Sequence, residues 1–459
     1  MVLYRCAVDP MKKLPLTLIA LSTLCFIPLF VSCHNRIPHS KADDWMQWRG
    51  PNFNGSSSEK NLPTAFTRDG ELAWSLPLTG PSASTPIVHK GRIFLSSVDA
   101  ENQSTHAMCV DRLTGKILWQ SKVSDGIKRD DRSNFSSPSP VTDGERVVFV
   151  YGNGDVAAFD LEGKPLWRRN LEEDFGAFAY QWTYSASPML FEGKLYIQVL
   201  QRNEPVHERG KPDGESYLLC AEPATGKTLW RHVRPTEAQA ESREAFSTPI
   251  PHMVNGKWQI LVVGGDMVSG HNPSTGEELW RWGTWNPTRI GHWRLVPSPV
   301  AGAGVVLACA PKKAPVYAVK PGTGTLDEKS LAWSSTDRAV TSDVPTPAFY
   351  DGDFFVLSDV AKALSRVAPD GSIKWSLETP GRTKYEASPT AVDGKIYIVN
   401  FTGDVVVVNA GDGKILHQTS FGTPEDKQIR SSIVPTNGQL LLRTDTKLFC
   451  IGKPTKAVK

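Results

Sequence analysis

The stretch STPIVHKGRIFLSSVDAENQSTHAMCVDRLTGKILW, Ser84 to Trp119, decides the fold. A Ser/Thr-Pro pair opens an extended run, and a glycine turn leads into alternating β-branched and aromatic residues. A third apolar run ends at Thr114-Gly115-Lys116, and a short fourth run carries Trp119. That is the grammar of consecutive β-hairpins, with glycine supplying the positive φ that a tight turn beside a bulge requires.

The pattern recurs along the chain, and self-similarity at a period of several tens of residues signals a repeat architecture. Residues 136–167 read SSPSPVTDGERVVFVYGNGDVAAFDLEGKPLW, and SASPMLFEGKLYIQVL opens a copy ending at Trp230. STPIPHMVNGKWQILVVGGDMVSGHNPSTGEELW ends at Trp280, and three more copies end at Trp333, Trp375 and His417. An eighth, SSIVPTNGQLLLRTDTKLFCIGK, stops without its final run, while ELAWSLPL, residues 71–78, precedes the first copy and matches the missing piece. Four antiparallel strands per copy make the blade of a propeller. The expectation is an all-β chain over residues 71–453, a single eight-bladed β-propeller whose N-terminal strand completes the last blade and so removes exposed edges. Trp74, Trp119, Trp167, Trp230, Trp280, Trp333 and Trp375 recur at one repeat position, so we read them as outer-strand residues packed on the neighbouring blade.

Composition adds boundaries. The 459 residues carry 51 Lys and Arg against 48 Asp and Glu, with no long run of one sign, so nucleic acid is not an expected partner. Lys12 and Lys13 precede the apolar run LPLTLIALSTLCFIPLFV, which reads as an export signal starting at Met11. Val31-Ser32-Cys33 resembles the lipobox of bacterial lipoproteins, with Phe30 departing from the usual aliphatic residue. The expectation is a leader over residues 1–33, a lipid on Cys33, a linker with a tryptophan-rich motif over 34–70, and a tail over 454–459. The protein would then be exported to the periplasm or cell envelope and held at a membrane. Cys109, Cys220 and Cys450 fall in apolar strand-like runs of different copies, where buried, unpaired thiols are expected.

CVDRLTGKILW, CAEPATGKTLW and GHNPSTGEELW resemble the tryptophan-docking motif of the pyrroloquinoline-quinone-like, or BamB-like, propeller family. DWMQWRGPNFNG, residues 44–55, resembles the W-x-x-W-R-G-P motif that precedes the repeats in a bacterial exported subfamily. The resemblance implies one of two roles. Quinoprotein dehydrogenases of this kind oxidise alcohols or sugars with quinone (PQQ) and calcium, whereas assembly scaffolds of the same shape bind without catalysis. Those dehydrogenases typically carry two adjacent cysteines against the quinone, and no Cys-Cys pair exists here. The reading is a binding or scaffolding protein with a protein or carbohydrate ligand; a PQQ-dependent oxidoreductase is the alternative.

Connections on the TGK side of the blades are short and repetitive, whereas those on the opposite face are long and individual, as recognition requires. They include SDGIKRDDRSNF, EEDFGAFAYQWTY, WGTWNPTRIGHWRLV and the insertion QRNEPVHERGKPDGES. Their ends lead into the innermost strands. Asn134, Trp182, Tyr184, Phe246, His292, Trp293, Arg294, Asp343, Tyr385, Glu386 and Arg430 are therefore expected around the channel mouth, where aromatic and cationic groups can hold a sugar, a peptide or a quinone-like ring. No catalytic or metal-ligating residue is assigned. Gly226-Lys227-Thr228 lacks the first glycine of a phosphate loop because Ala221 stands there, and His207-Glu208 lacks the second histidine of a zinc-protease helix.

Overall fold

The computed structural model describes residues 44–283 and 285–453. The leader, Cys33 and the tail lie outside the described residues. Eight antiparallel sheets follow one another along the chain. Blade one contains Ile87–His89, Arg92–Asp99, Ser104–Asp111 and Ile117–Asp125. Blades two to seven span residues 141–170, 189–233, 250–282, 300–334, 348–378 and 390–420. Blade eight is composite: Leu72–Pro77 pairs antiparallel with Lys447–Ile451, setting Trp74 opposite Cys450. The fold is the expected eight-bladed propeller.

Apolar residues from facing sheets are buried between neighbours. Val148, Val156 and Ala158 of blade two join Leu195, Ile197 and Leu219 of blade three in one cluster, so each blade is stable only against the next. The repeat glycines explain how outer strands lock. The Trp119 indole lies over Gly163 of the following blade, where an added Cβ would sit 2.5 Å from the ring, and its Nε1 donates to Leu161 O at 3.0 Å. Trp74, Trp167, Trp333 and Trp375 dock the same way, donating to carbonyls of Arg112, Pro223, Pro369 and Ala410. Trp230 lies over Gly276 without an indole hydrogen bond.

Trp280 departs from the series, because its Nε1 donates at 2.7 Å to Gln259 of its own blade. Blade five has no repeat-type turn to receive it; instead Gly324–Thr325 adds a parallel fifth strand to Glu278–Trp282. His417 replaces the tryptophan where no repeat-type turn follows among the described residues. It bonds to the Phe66 carbonyl at 2.6 Å, so the segment before the first blade takes the turn's place. Cys109, Cys220, Cys309 and Cys450 are buried and free in four different blades.

The WRGP segment, residues 44–55, crosses the turn-side end of the channel. Trp45 bridges Val88 of blade one, Met46 O accepts from Thr142 of blade two, and Gln47 Oε1 accepts from Leu190 of blade three. Arg49 reaches the far side, donating to Pro347 O at 2.5 Å and Pro389 O at 3.1 Å in blades six and seven. It is fully buried without a carboxylate, and burial lowers its guanidinium to about 9. Glu59 then accepts from Asn437 and Gly438 of blade eight.

Candidate ligand site at the channel mouth

The Ser/Thr-Pro pairs that open each copy converge on the central channel. Thr85 N–H donates to Ser139 Oγ, Ser139 N–H to Ser187 Oγ, and Ser187 N–H to Thr248 Oγ1. The relay continues through Ser298, Thr346 and Ser388, and Ser432 N–H returns to Thr85 Oγ1. Seven of eight links are made. The failing acceptor is Ser432, whose buried hydroxyl has no partner. It is also the ring residue followed by Ile433 instead of proline, so the restraint that proline places on the preceding backbone is missing there.

Above this ring, on the long-loop face, lies a cavity of about 580 Å³ with Trp48 of the WRGP segment in its wall. Every blade contributes, and extended backbone decides which side chains reach it. Successive residues of an extended chain point to opposite sides. Counted back two from each ring residue, Ala83, Ser137, Ser185, Phe246, Val296, Val344, Glu386 and Arg430 all line the cavity. Four back, Thr183, Arg294 and Lys384 line it as well.

This parity accounts for most of the expected site residues and fails at Asp343 and Trp182, three and five back from Thr346 and Ser187, which line the cavity as well. Trp182, Phe246, His292, Arg294, Asp343, Glu386 and Arg430 are brought together around the cavity. Tyr184 and Tyr385, three back from their ring residues, are not in this wall and donate to Gln198 O and Pro380 O; Tyr184 belongs instead to the wall of an adjoining cavity. Asn134 is occupied in its own loop, donating to Pro81 O and accepting from Ser136. Trp293 is not part of the cavity wall; its backbone N–H donates to Ser242 Oγ. Sequence reading missed Trp48, Arg132, Glu241, Lys312 and Lys384. For Lys384 the signal was available, since it alternates with Glu386 and Ser388. Lys312 comes from the loop after Val305–Cys309, which carries no repeat signature.

The mouth is rich in charge. Arg430 Nε donates to Glu386 Oε2 at 2.8 Å. Arg294 stands 3.7 Å from both Glu241 and Asp343, and its Nη1 is buried without a hydrogen-bond partner. Trp182 Nε1 donates to Glu241 at 3.2 Å, with the Arg132 guanidinium 5.1 Å from the ring centroid. Behind Asp343, whose N–H it accepts, Asp359 is buried. That burial, with the Asp343 and Glu386 carboxylates nearby, pushes its carboxyl up to about 6.

Among the described residues no group of three or more His, Cys, Asp or Glu side chains is placed to hold a metal ion. The oxygen-rich cage that calcium takes is therefore not presented by side chains of those types. The four described cysteines sit in separate blades, so no cysteine pair faces the channel.

The backbone is similar to a europium-containing methanol dehydrogenase, with 12% identity, a TM-score of 0.64, and 88% of this chain and 89% of the other covered. It is also similar to the quinohemoprotein alcohol dehydrogenase of Comamonas testosteroni at 13% identity and a TM-score of 0.63, covering 92% and 82%. BamB from Moraxella catarrhalis matches at 13% identity and a TM-score of 0.55, covering 84% and 99%. At such identities these likenesses speak for the fold alone. No curated protein matches the sequence. The family model described as outer membrane protein assembly factor BamB matches residues 56–206 and 312–455, and the chain belongs to that family of propellers.

Proposed function

We propose that the protein is an exported, membrane-tethered propeller that works by binding, taking its ligand or partner at the long-loop mouth of the channel. The observation that carries this reading is the cavity to which every blade contributes, with the WRGP segment crossing beneath it. A ligand arriving from the long-loop side meets cations, half-buried aromatics and hydroxyls, the composition of a recognition site. The family's description as an assembly factor suits the same reading, with the surrounding loops as the surface for a protein partner. Cys33 would carry the tether, and a lipid there leaves the folded part in water.

The test is retention. The purified full chain and an Arg294→Ala variant of unchanged thermal midpoint are equilibrated with envelope extract, washed and denatured, and the released compounds are identified by mass. A compound or partner retained by the native chain and lost from the variant is expected. Equal retention by both would remove the cavity from the reading. Stoichiometric uptake of added PQQ with calcium, followed by dye reduction on adding an alcohol, would replace binding by the oxidoreductase alternative.

A further inference from the structure

The cavity offers hydrogen-bond donors in excess of acceptors. Ser139, Ser187, Thr248, Thr346 and Ser388 line it, and each hydroxyl already accepts a backbone N–H from the preceding blade. No described protein acceptor takes the hydrogens of these hydroxyls, so they are free to point at a ligand. At the mouth, Arg294 holds a buried Nη1 with no partner, and Lys312 makes no ion pair among the described residues. Each carboxylate of the wall already accepts a hydrogen bond, Glu386 from Arg430, Glu241 from Trp182 and Asp343 from the Lys312 N–H at 2.6 Å, and Arg132, Arg294, Lys312, Lys384 and Arg430 outnumber these three. Such a wall complements a ligand that is anionic and dense in oxygen acceptors.

Its shape is longer than one ring. A second cavity of about 670 Å³ adjoins the first and shares Arg132, Trp182, Lys384, Glu386 and Arg430 with it. Together the two exceed what a single small molecule fills. Trp182 belongs to the wall of both, where an indole can stack on the C–H face of a sugar ring. A peptide strand finds little backbone edge at the ring level, because seven of the eight N–H groups there are already bonded to neighbouring hydroxyls.

We propose that the paired cavities take an acidic oligosaccharide, a chain of pyranose rings bearing carboxylates, with one carboxylate seated on Arg294 and Lys312 and a neighbouring ring against Trp182. This inference rests on the binding reading above and narrows it to a ligand class.

Calorimetric titration of the full chain tests it, using tetragalacturonate, neutral cellotetraose, tetraglutamate and PQQ as probes. Tetragalacturonate is expected to bind more tightly than the other three, with affinity falling as salt is raised. Arg294→Gln should weaken it by about tenfold or more, the loss of a charge-assisted contact. Lys312→Ala, a loop change that spares the propeller core, should weaken it in the same direction. Trp182→Ala should reduce the advantage of the tetramer over galacturonic acid itself. Equal affinity for cellotetraose would overturn the acidic requirement. Tighter binding of tetraglutamate would overturn the sugar in favour of a peptide, and tighter binding of PQQ in favour of a quinone. If no probe binds while the extract experiment still yields an Arg294-dependent ligand, this inference fails and the binding reading stands. If neither experiment yields a ligand, both fail.

Discussion

The backbone N–H of Ser432 donates to Thr85 Oγ1 at 3.0 Å, joining residues 347 positions apart where the composite blade meets the first. Thr85 passes its own N–H on to Ser139, so the contact belongs to a circular relay whose links bind neighbouring blades at the channel wall. Thr85→Val removes one acceptor and is expected to cost about 1 kcal/mol. Ser432→Ala removes a hydroxyl that has no partner and is expected to change stability by less than about 0.5 kcal/mol. Thermal midpoints of the two variants check this; equal losses would mean that the relay does not hold the ring.

Gly163 combines a φ of 90° with a Trp119 ring 2.5 Å from where its Cβ would stand. Gly163→Ala must therefore displace the docked indole as well as strain the turn, and a loss of about 2–4 kcal/mol is expected. Gly91, with a φ of 77° and nothing within 4 Å of an added Cβ, isolates the backbone contribution. Gly91→Ala should cost only about 1–2 kcal/mol. Denaturation of both variants against the native chain separates docking from turn strain.

Arg49 clamps two blades through two carbonyls, and a lysine cannot reproduce that fork. Arg49→Lys is expected to lose about 2–4 kcal/mol and to make the WRGP segment the first stretch cut by protease. Gly55→Ala, whose Cβ would collide with the Arg49 guanidinium, should give the same cleavage pattern. A stable, uncut Arg49→Lys protein would show that the segment is held by its apolar contacts instead.

Asp359 supplies a pH dependence with a defined sign. Its folded carboxyl is pushed up to about 6, whereas an unfolded aspartate titrates at about 4. Raising the pH between those values removes the proton from the unfolded chain first, so the folded state loses up to about 3 kcal/mol of stability across that window. Asp359→Asn keeps an acceptor for the Asp343 N–H and has no proton to release. Its stability advantage over the native chain should grow between about pH 4 and 6 and level off above. An advantage independent of pH would mean that Asp359 titrates alike in both states.

Much of the site was legible once the ring residues are taken as the origin of counting. Extended backbone alternates, so Glu386 and Arg430, two back from Ser388 and Ser432, reach the cavity, while Tyr184 and Tyr385, three back, are absent from its wall; Asp343, three back from Thr346, breaks the count and lines it. The longer loops obey no such count: Trp182 lines the cavity five residues before Ser187, and Asn134, five before Ser139, is held in its own loop. Lys312 and Trp48 come from elements that the repeat does not contain, and nothing in the periodicity marks them.

By itself the sequence determined the blades. Local alternation, the turn glycines and a tryptophan at a constant repeat position are short-range signals, and for every such tryptophan but Trp280 the partner lies one blade away. It also determined that the ends must meet, because the last copy lacks the strand that residues 71–78 supply. Only the tertiary structure decided what the Ser/Thr-Pro pairs do, where the WRGP segment lies, and which loop residues face the channel. Those depend on closing a ring of eight blades, which brings Ser432 to Thr85 and Arg49 to Pro347 and Pro389 across hundreds of residues. No local pattern along a chain encodes a distance of that kind.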